Sequence, residues 1–215
     1  MPYDDEFDWQ SRSAPGNPNN TPGSVNVLYG SATGLQASSI GGPDDQLWTR
    51  NSPSVKGDQT LSQYFGAALA AGDFNHDGFD DLCIGAPWDG GSDTINGPGS
   101  VNCLYGSAPG LQGTGVGGPD DQLWTQDIAG VIGVVEDGDD FGWALASGDF
   151  DGDGFYDLAV GVPGENAQGG INVLYGSKSG LQAMGTGGPA NQFWNQDSPG
   201  VPGSGGGSFG VALGR

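Results

Sequence analysis

The 215-residue chain carries 26 acidic against 5 basic side chains, a formal charge of −21, and a single histidine. Such a surface repels phosphate, which excludes nucleic acid as a partner, and it calls for bound cations to limit self-repulsion. No apolar stretch approaches the ~20 residues needed to cross a bilayer, and Met1-Pro2-Tyr3-Asp4-Asp5 lacks the basic start and apolar middle of a secretory signal.

The length allows one large domain or two small ones. The 44 Gly and 14 Pro favour an unfolded chain, but 6 Trp, 6 Tyr and 9 Phe recur periodically and can build a core. Gly-rich turns between short apolar runs point to an all-β fold. The missing leader fits a mature form, an internal fragment or a cytosolic chain; the Asp/Gly/Ser/Thr-rich surface favours an extracellular one.

In chain order, a partial first repeat covers residues 1–64. It opens on a strand near Asp8 to Ala14 and continues with Ser24-Val25-Asn26-Val27-Leu28-Tyr29-Gly30 and Leu47-Trp48. A full repeat occupies 65–140, with strands over Phe65–Phe74, Asp81–Pro87, Ser100–Tyr105 and Gln122–Gln126. A second full repeat spans 141–208, and residues 209–215 hold the first strand of another. Tyr29, Tyr105 and Tyr175 mark the period at intervals of 76 and 70 residues. Four strands per repeat in series is the plan of a propeller blade. The strands sum to about three blades of four antiparallel strands, an open or partial propeller unless another chain completes it, because closed rings typically need ~4–8 blades.

Between the first and second strands of each full repeat lies a nine-residue acidic loop. The first is Asp73-Phe74-Asn75-His76-Asp77-Gly78-Phe79-Asp80-Asp81, and the second is Asp149-Phe150-Asp151-Gly152-Asp153-Gly154-Phe155-Tyr156-Asp157. Oxygen side chains at positions 1, 3, 5 and 9, with Gly at 6, can wrap a hard cation, and calcium is the usual occupant. The ligands expected are the side chains of Asp73, Asn75, Asp77 and Asp81 with the Phe79 carbonyl, and those of Asp149, Asp151, Asp153 and Asp157 with the Phe155 carbonyl. Asp80 and Tyr156 point away. An EF-hand would need Glu at position 12, where Ile84 and Val160 stand instead. The alternative is a set of ordinary polar turns, but three or four carboxylates within nine residues repel one another unless a cation joins them. Magnesium fits less well, because it keeps its waters.

Phe65-Gly66, Gly72-Asp73-Phe74 and Gly85-Ala86-Pro87, repeated as Phe141-Gly142, Gly148-Asp149-Phe150 and Gly161-Val162-Pro163, resemble the FG-GAP repeat. That repeat builds the propeller head of integrin α-subunits and occurs in many bacterial surface proteins. The resemblance implies an extracellular calcium-binding propeller for adhesion, protein recognition or self-assembly. The alternative is a carbohydrate-binding propeller or the accessory module of a secreted hydrolase. Expected partners are other protein chains, copies of this chain joined by strand donation, or glycans, without nucleic acid or membrane insertion.

Other residues carry less. Cys83 and Cys103 fall on neighbouring strands of one unit, as buried thiols or as a disulfide. Trp48, Trp124 and Trp194 recur at a fixed strand position that suits packing between blades. Trp9, Trp88 and Trp143 break the repeat. Trp88, in a Gly-rich loop, is the candidate ligand contact. His76 sits at a non-ligand position of the first loop, and no G-x-S-x-G or isolated acid/base pair is present. The chain therefore reads as non-enzymatic.

Overall fold

The computed structural model describes residues 7–8, 23–32, 34–38, 43–59, 63–91, 96–115, 118–186, 188–202 and 207–214. Among them the chain is all-β apart from one 3-10 turn at Glu165–Ala167. A three-stranded sheet joins β1 (Phe7–Asp8), β2 (Val25–Val27) and β5 (Gln46–Trp48), with a small hairpin of β3 (Tyr29–Ser31) and β4 (Gly34–Gln36) beside it in sequence. The second sheet runs β6 (Ala68–Gly72), β7 (Asp81–Ala86), β8 (Ser100–Leu104) and β9 (Gln122–Trp124). The third runs β10 (Leu145–Gly148), β11 (Asp157–Val162), β12 (Gly170–Leu174) and β13 (Gln192–Trp194) in the same order. Every pairing in these sheets is antiparallel. These are propeller blades, each built as a meander.

Stacking explains the composition of the strands. β7 and β11 are buried at all six positions, because each central strand is covered on both faces. Val25, Val27, Trp48, Phe65, Leu82, Ile84 and Leu104 fill the junction between the first two blades. Phe74, Val101, Trp124, Phe141, Leu158, Val160 and Leu174 fill the next. Fully burying one such side chain stabilises the fold by about 1.5–3 kcal/mol, so these junctions account for much of its stability.

The recurring glycines set how closely the blades approach. A Cβ on Gly85 would lie 2.2 Å from the Gly142 carbonyl oxygen, and one on Gly161 would lie 2.1 Å from that of Gly210. Gly142 N–H also donates to the Gly161 carbonyl of its own blade at 3.1 Å, while Phe141 N–H reaches back to Pro98 at 2.8 Å. The Phe-Gly pair thus ties its own blade to the one before it.

Several boundaries differ from the sequence reading. The first strands begin at Ala68 and Leu145 rather than at Phe65 and Phe141, because the Phe-Gly pair forms a turn and a bridge to the preceding blade. Phe209–Leu213 forms no strand: Phe209 makes only a parallel bridge to Gly169, as Phe141 does to Gly99. Trp48 and Trp124 are buried, but Trp194 is exposed, since nothing among the described residues covers the outer face of β13. Of the strand expected over Asp8 to Ala14 only Asp8 is described; the rest, with Trp9 and most of Ser204–Ser208, lies outside the described residues. Cys83 and Cys103 are register partners with Cα atoms 4.0 Å apart, and they form a disulfide.

Candidate metal centre

Both acidic loops span a β-hairpin. Gly72 pairs with Asp81 and Gly148 with Asp157, so positions 1 to 8 bulge from the sheet between them. Gly78 and Gly154 take φ values of 92° and 93°, in the left-handed region that a side chain disfavours. Nothing but a distant His76 atom would meet a Cβ there, so conformation rather than space requires glycine.

Backbone amides aim the acidic side chains. In the second loop Asp149 Oδ1 accepts the Gly152 and Asp153 N–H groups at 2.7 and 3.1 Å, and its Oδ2 accepts Gly154 N–H at 3.1 Å. Asp151 Oδ1 accepts Asp153 N–H at 3.1 Å, and Asp153 Oδ1 accepts Phe155 N–H at 2.9 Å. Carboxylate oxygens of Asp149, Asp151 and Asp153 consequently lie within 4.8 Å of one another, all on exposed residues. Two unit charges 4 Å apart repel by about 1 kcal/mol in water and more at a protein surface, and a divalent cation would reverse the sign.

The first loop repeats the pattern with one amide in the set. Asp73 accepts the Asp77 and Gly78 N–H groups at 3.0 and 2.9 Å, and Asp77 accepts that of Phe79 at 3.0 Å. Asn75 Nδ2 donates to Asp77 Oδ2 at 2.9 Å, which relieves part of the repulsion.

Position 9 is different. Asp81 is buried; its Oδ2 accepts Phe74 N–H and its Oδ1 accepts Gly106 N–H, both at 2.8 Å. Asp157 does the same with Phe150 at 2.7 Å and Gly176 at 2.9 Å. Burial pushes the Asp81 carboxyl up to about 8, against the pull of these amides and with Asp77 and Asp73 adding to the rise. The same causes, with Asp151 and Asp153 as the neighbouring charges, push Asp157 up to about 6. Both residues bind the loop to the end of the third strand, and neither belongs to the converging carboxylate set, which among the described residues is Asp149, Asp151 and Asp153.

The two loops touch across the blade junction. Tyr156 N–H donates to the Asp73 carbonyl and Ser177 N–H to that of Phe74, each at 3.1 Å, and the His76 and Phe155 rings are 5.5 Å apart. Phe79 and Tyr156 are exposed, and the Tyr156 ring lies over Gly72 of the preceding blade. Trp88 is not part of this centre. It comes just after the far end of β7, with its ring 4.1 Å from that of Tyr64.

Sequence reasoning missed a set of clamps between blades. Tyr29 hydroxyl accepts Leu111 N–H at 2.8 Å, and Gln46 Nε2 donates to the Leu111 carbonyl at 3.0 Å. Tyr105 and Gln122 hold Leu181 in the same way. The recurrence of Tyr, Gln and Leu at fixed places in the repeat was the available signal.

The FG-GAP repeat family model matches residues 65–101 and 141–174. The chain is 36% identical over 127 residues, 56% of its length, to integrin alpha-PS2 of Drosophila melanogaster. It is 35% identical over 156 residues, 71% of its length, to phosphatidylinositol-glycan-specific phospholipase D of Rattus norvegicus, and 32% identical over 161 residues, 74% of its length, to integrin alpha-5 of Xenopus laevis. The matched stretches span only 8%, 16% and 13% of those proteins. The two repeat matches fall on the two four-stranded blades and contain both acidic loops, so these two blades are FG-GAP repeats.

Proposed function

We propose that this chain is an extracellular propeller module that binds calcium in its two acidic loops and recognises other protein chains. The observation that carries the calcium reading is the convergence of Asp149, Asp151 and Asp153 within 4.8 Å. The hydrogen-bonded set of Asp73, Asn75 and Asp77 repeats it in the preceding blade. The ligands are the side chains at positions 1, 3, 5 and 9 of each loop, with the Phe79 and Phe155 carbonyls. Affinity falls in the range of extracellular modules, with Kd on the order of 10⁻⁴–10⁻³ M. Calorimetric titration of chelator-stripped protein tests this: two loop sites are expected, and no heat of binding would reject the reading. The chain acts by binding rather than catalysis, as its integrin relatives suggest by name.

One partner is a second copy of the chain. Leu111 and Leu181 are 6% and 3% exposed under the Tyr–Gln clamps of the preceding blades, whereas the equivalent Leu35 is 44% exposed. Tyr175 and Gln192 occupy the clamp positions on the third blade, so the two outer faces carry complementary halves of a contact the chain makes twice internally. Head-to-tail docking gives a ring if the rotation closes and a filament if it does not.

A second reading, an accessory module of a secreted hydrolase with carbohydrate affinity, is favoured by the phospholipase D relative. In that reading Trp88, edge-to-face with Tyr64, is the ligand contact. A glycan array separates the two: binding that is lost in Trp88→Ala supports the second.

A further inference from the structure

Three residues at each blade junction occupy equivalent places 76 residues apart: Arg50 and Gln126 two residues after the recurring Trp, Gln63 and Asp139 two before the Phe-Gly pair, and Asp89 and Glu165 two after the GAP-like triplet. At the first junction they form a neutral set. The Arg50 guanidinium, fully buried, meets Asp89 Oδ2 at 2.6 Å in the only ion pair among the described residues, and it also donates to Ser100 Oγ. Gln63 Nε2 donates to Asp89 Oδ1 at 2.7 Å.

At the second junction the cation is gone and a carboxylate has been added. Gln126 replaces arginine, Asp139 replaces glutamine and Glu165 replaces aspartate. Asp139 and Glu165 are each 2% exposed, and their formal charge is −2 where the first junction sums to zero. Gln126 Nε2 donates to Glu165 Oε2 at 2.5 Å, Asn166 Nδ2 to Glu165 Oε1 at 2.5 Å and Glu136 N–H to Asp139 Oδ2 at 2.7 Å. These neutral donors leave the charge uncompensated. Gln126 is 5% exposed, yet its Oε1 is buried with no partner, and Oδ1 of Asp140, the residue after Asp139, is in the same condition. Leaving buried charge unpaired costs several kcal/mol per ion. Burial, with Glu165, Glu136 and Asp140 as neighbours, pushes the Asp139 carboxyl up to about 6.

We propose that the junction between the second and third blades holds a calcium ion between Asp139 and Glu165, in the place that the Arg50 guanidinium fills one junction earlier, with the Gln126 amide turned over on binding so that its unpartnered oxygen replaces Nε2 on the Glu165 side. The charge count selects a divalent cation, because two carboxylates need two positive charges. The donor set of carboxylate and amide oxygens selects a hard ion. The site is separate from the acidic loops and uses none of their residues.

Gln126→Arg tests it, because it builds into the second junction the cation that the first already tolerates. Titration of the chelator-stripped full chain with calcium should give one more equivalent for wild type than for Gln126→Arg. Glu165→Gln should lose the same equivalent. Asp139→Gln, which restores the residue of the first junction, keeps the test valid if the arginine variant fails to fold. Gln126→Arg should also melt at least as high as wild type in chelator. Asp73→Ala with Asp153→Ala removes the loop sites and leaves the junction equivalent in place, so the two readings fail separately. An ion count unchanged by all three junction variants overturns the proposal, whether or not the arginine stabilises the fold. Disappearance of all binding in the loop-disabled variant overturns it as well.

Discussion

The hydroxyl of Tyr105, at the end of the second blade's third strand, accepts the amide N–H of Leu181 in the third blade at 3.0 Å. The same hydroxyl donates to Gln122 Oε1 at 2.5 Å, so one fully buried phenol closes both its own blade and the next. Burial pushes its ionisation well above the ordinary tyrosine range, which keeps the hydroxyl neutral and able to donate and accept at once.

Tyr105→Phe should therefore destabilise the chain by about 1–3 kcal/mol, the cost of leaving a buried N–H unsatisfied. Urea unfolding monitored by tryptophan fluorescence measures it. A loss under a few tenths of a kcal/mol would show that the clamp is dispensable.

Gly85→Ala and Gly161→Ala should cost more than a typical overpacking substitution of about 1–3 kcal/mol. Each new methyl meets backbone carbonyl rather than a side chain that can turn aside. Gly78→Ala meets no atoms but is strained at φ 92°, so its penalty should fall on the loop and on cation binding more than on the blade stack. Thermal melts with and without calcium separate these cases.

Replacing Cys83 and Cys103 by Ala and Val should preserve the fold. The third blade already pairs Ala159 with Val173 at the same register. The lost cross-link lowers stability by about 2–4 kcal/mol, read as a lower urea midpoint that reducing agent shifts in wild type but not in the double variant.

Leu35→Asp and Tyr175→Phe lie at opposite ends of the blade stack, yet each should weaken association of chains in light scattering, and deletion of residues 208–215 should do the same. Monomers that are indifferent to all three changes would remove the second copy from the list of partners.

The blades were legible in the sequence because β7, β8, β11 and β12 are short apolar runs bounded by Gly, Pro and Asp, and because Tyr29, Tyr105 and Tyr175 hold the period. The turn of each acidic loop was legible for a related reason: Asp73 to Asp81 sets oxygen-bearing side chains at alternating positions, with Gly78 where the backbone must turn. The features that stayed hidden depend on neighbours in space. Trp194 reads like Trp48 and Trp124 but is exposed, because burial of that position requires another blade packed against its own. The exchange of Arg50 for Gln126 looks neutral along the chain. It matters only once Asp139 and Glu165, from different turns of the next blade, are brought against it. The double use of Asp81 and Asp157, each accepting two backbone amides, needed the third strand's end in place beside the loop.

That the acidic loops are cation sites in the stated register is tested most directly by calorimetric titration of calcium into Asp77→Ala and Asp80→Ala variants. Asp77 faces Asn75 and Asp73 within the loop, whereas Asp80 is expected to point away from the ion. Asp77→Ala should lose one equivalent of calcium together with the stabilisation that binding confers, about 2.7 kcal/mol per site at a hundredfold excess over Kd, and Asp80→Ala should bind like wild type. Equal loss in both variants, or no calcium binding by the wild-type chain, would contradict the assignment.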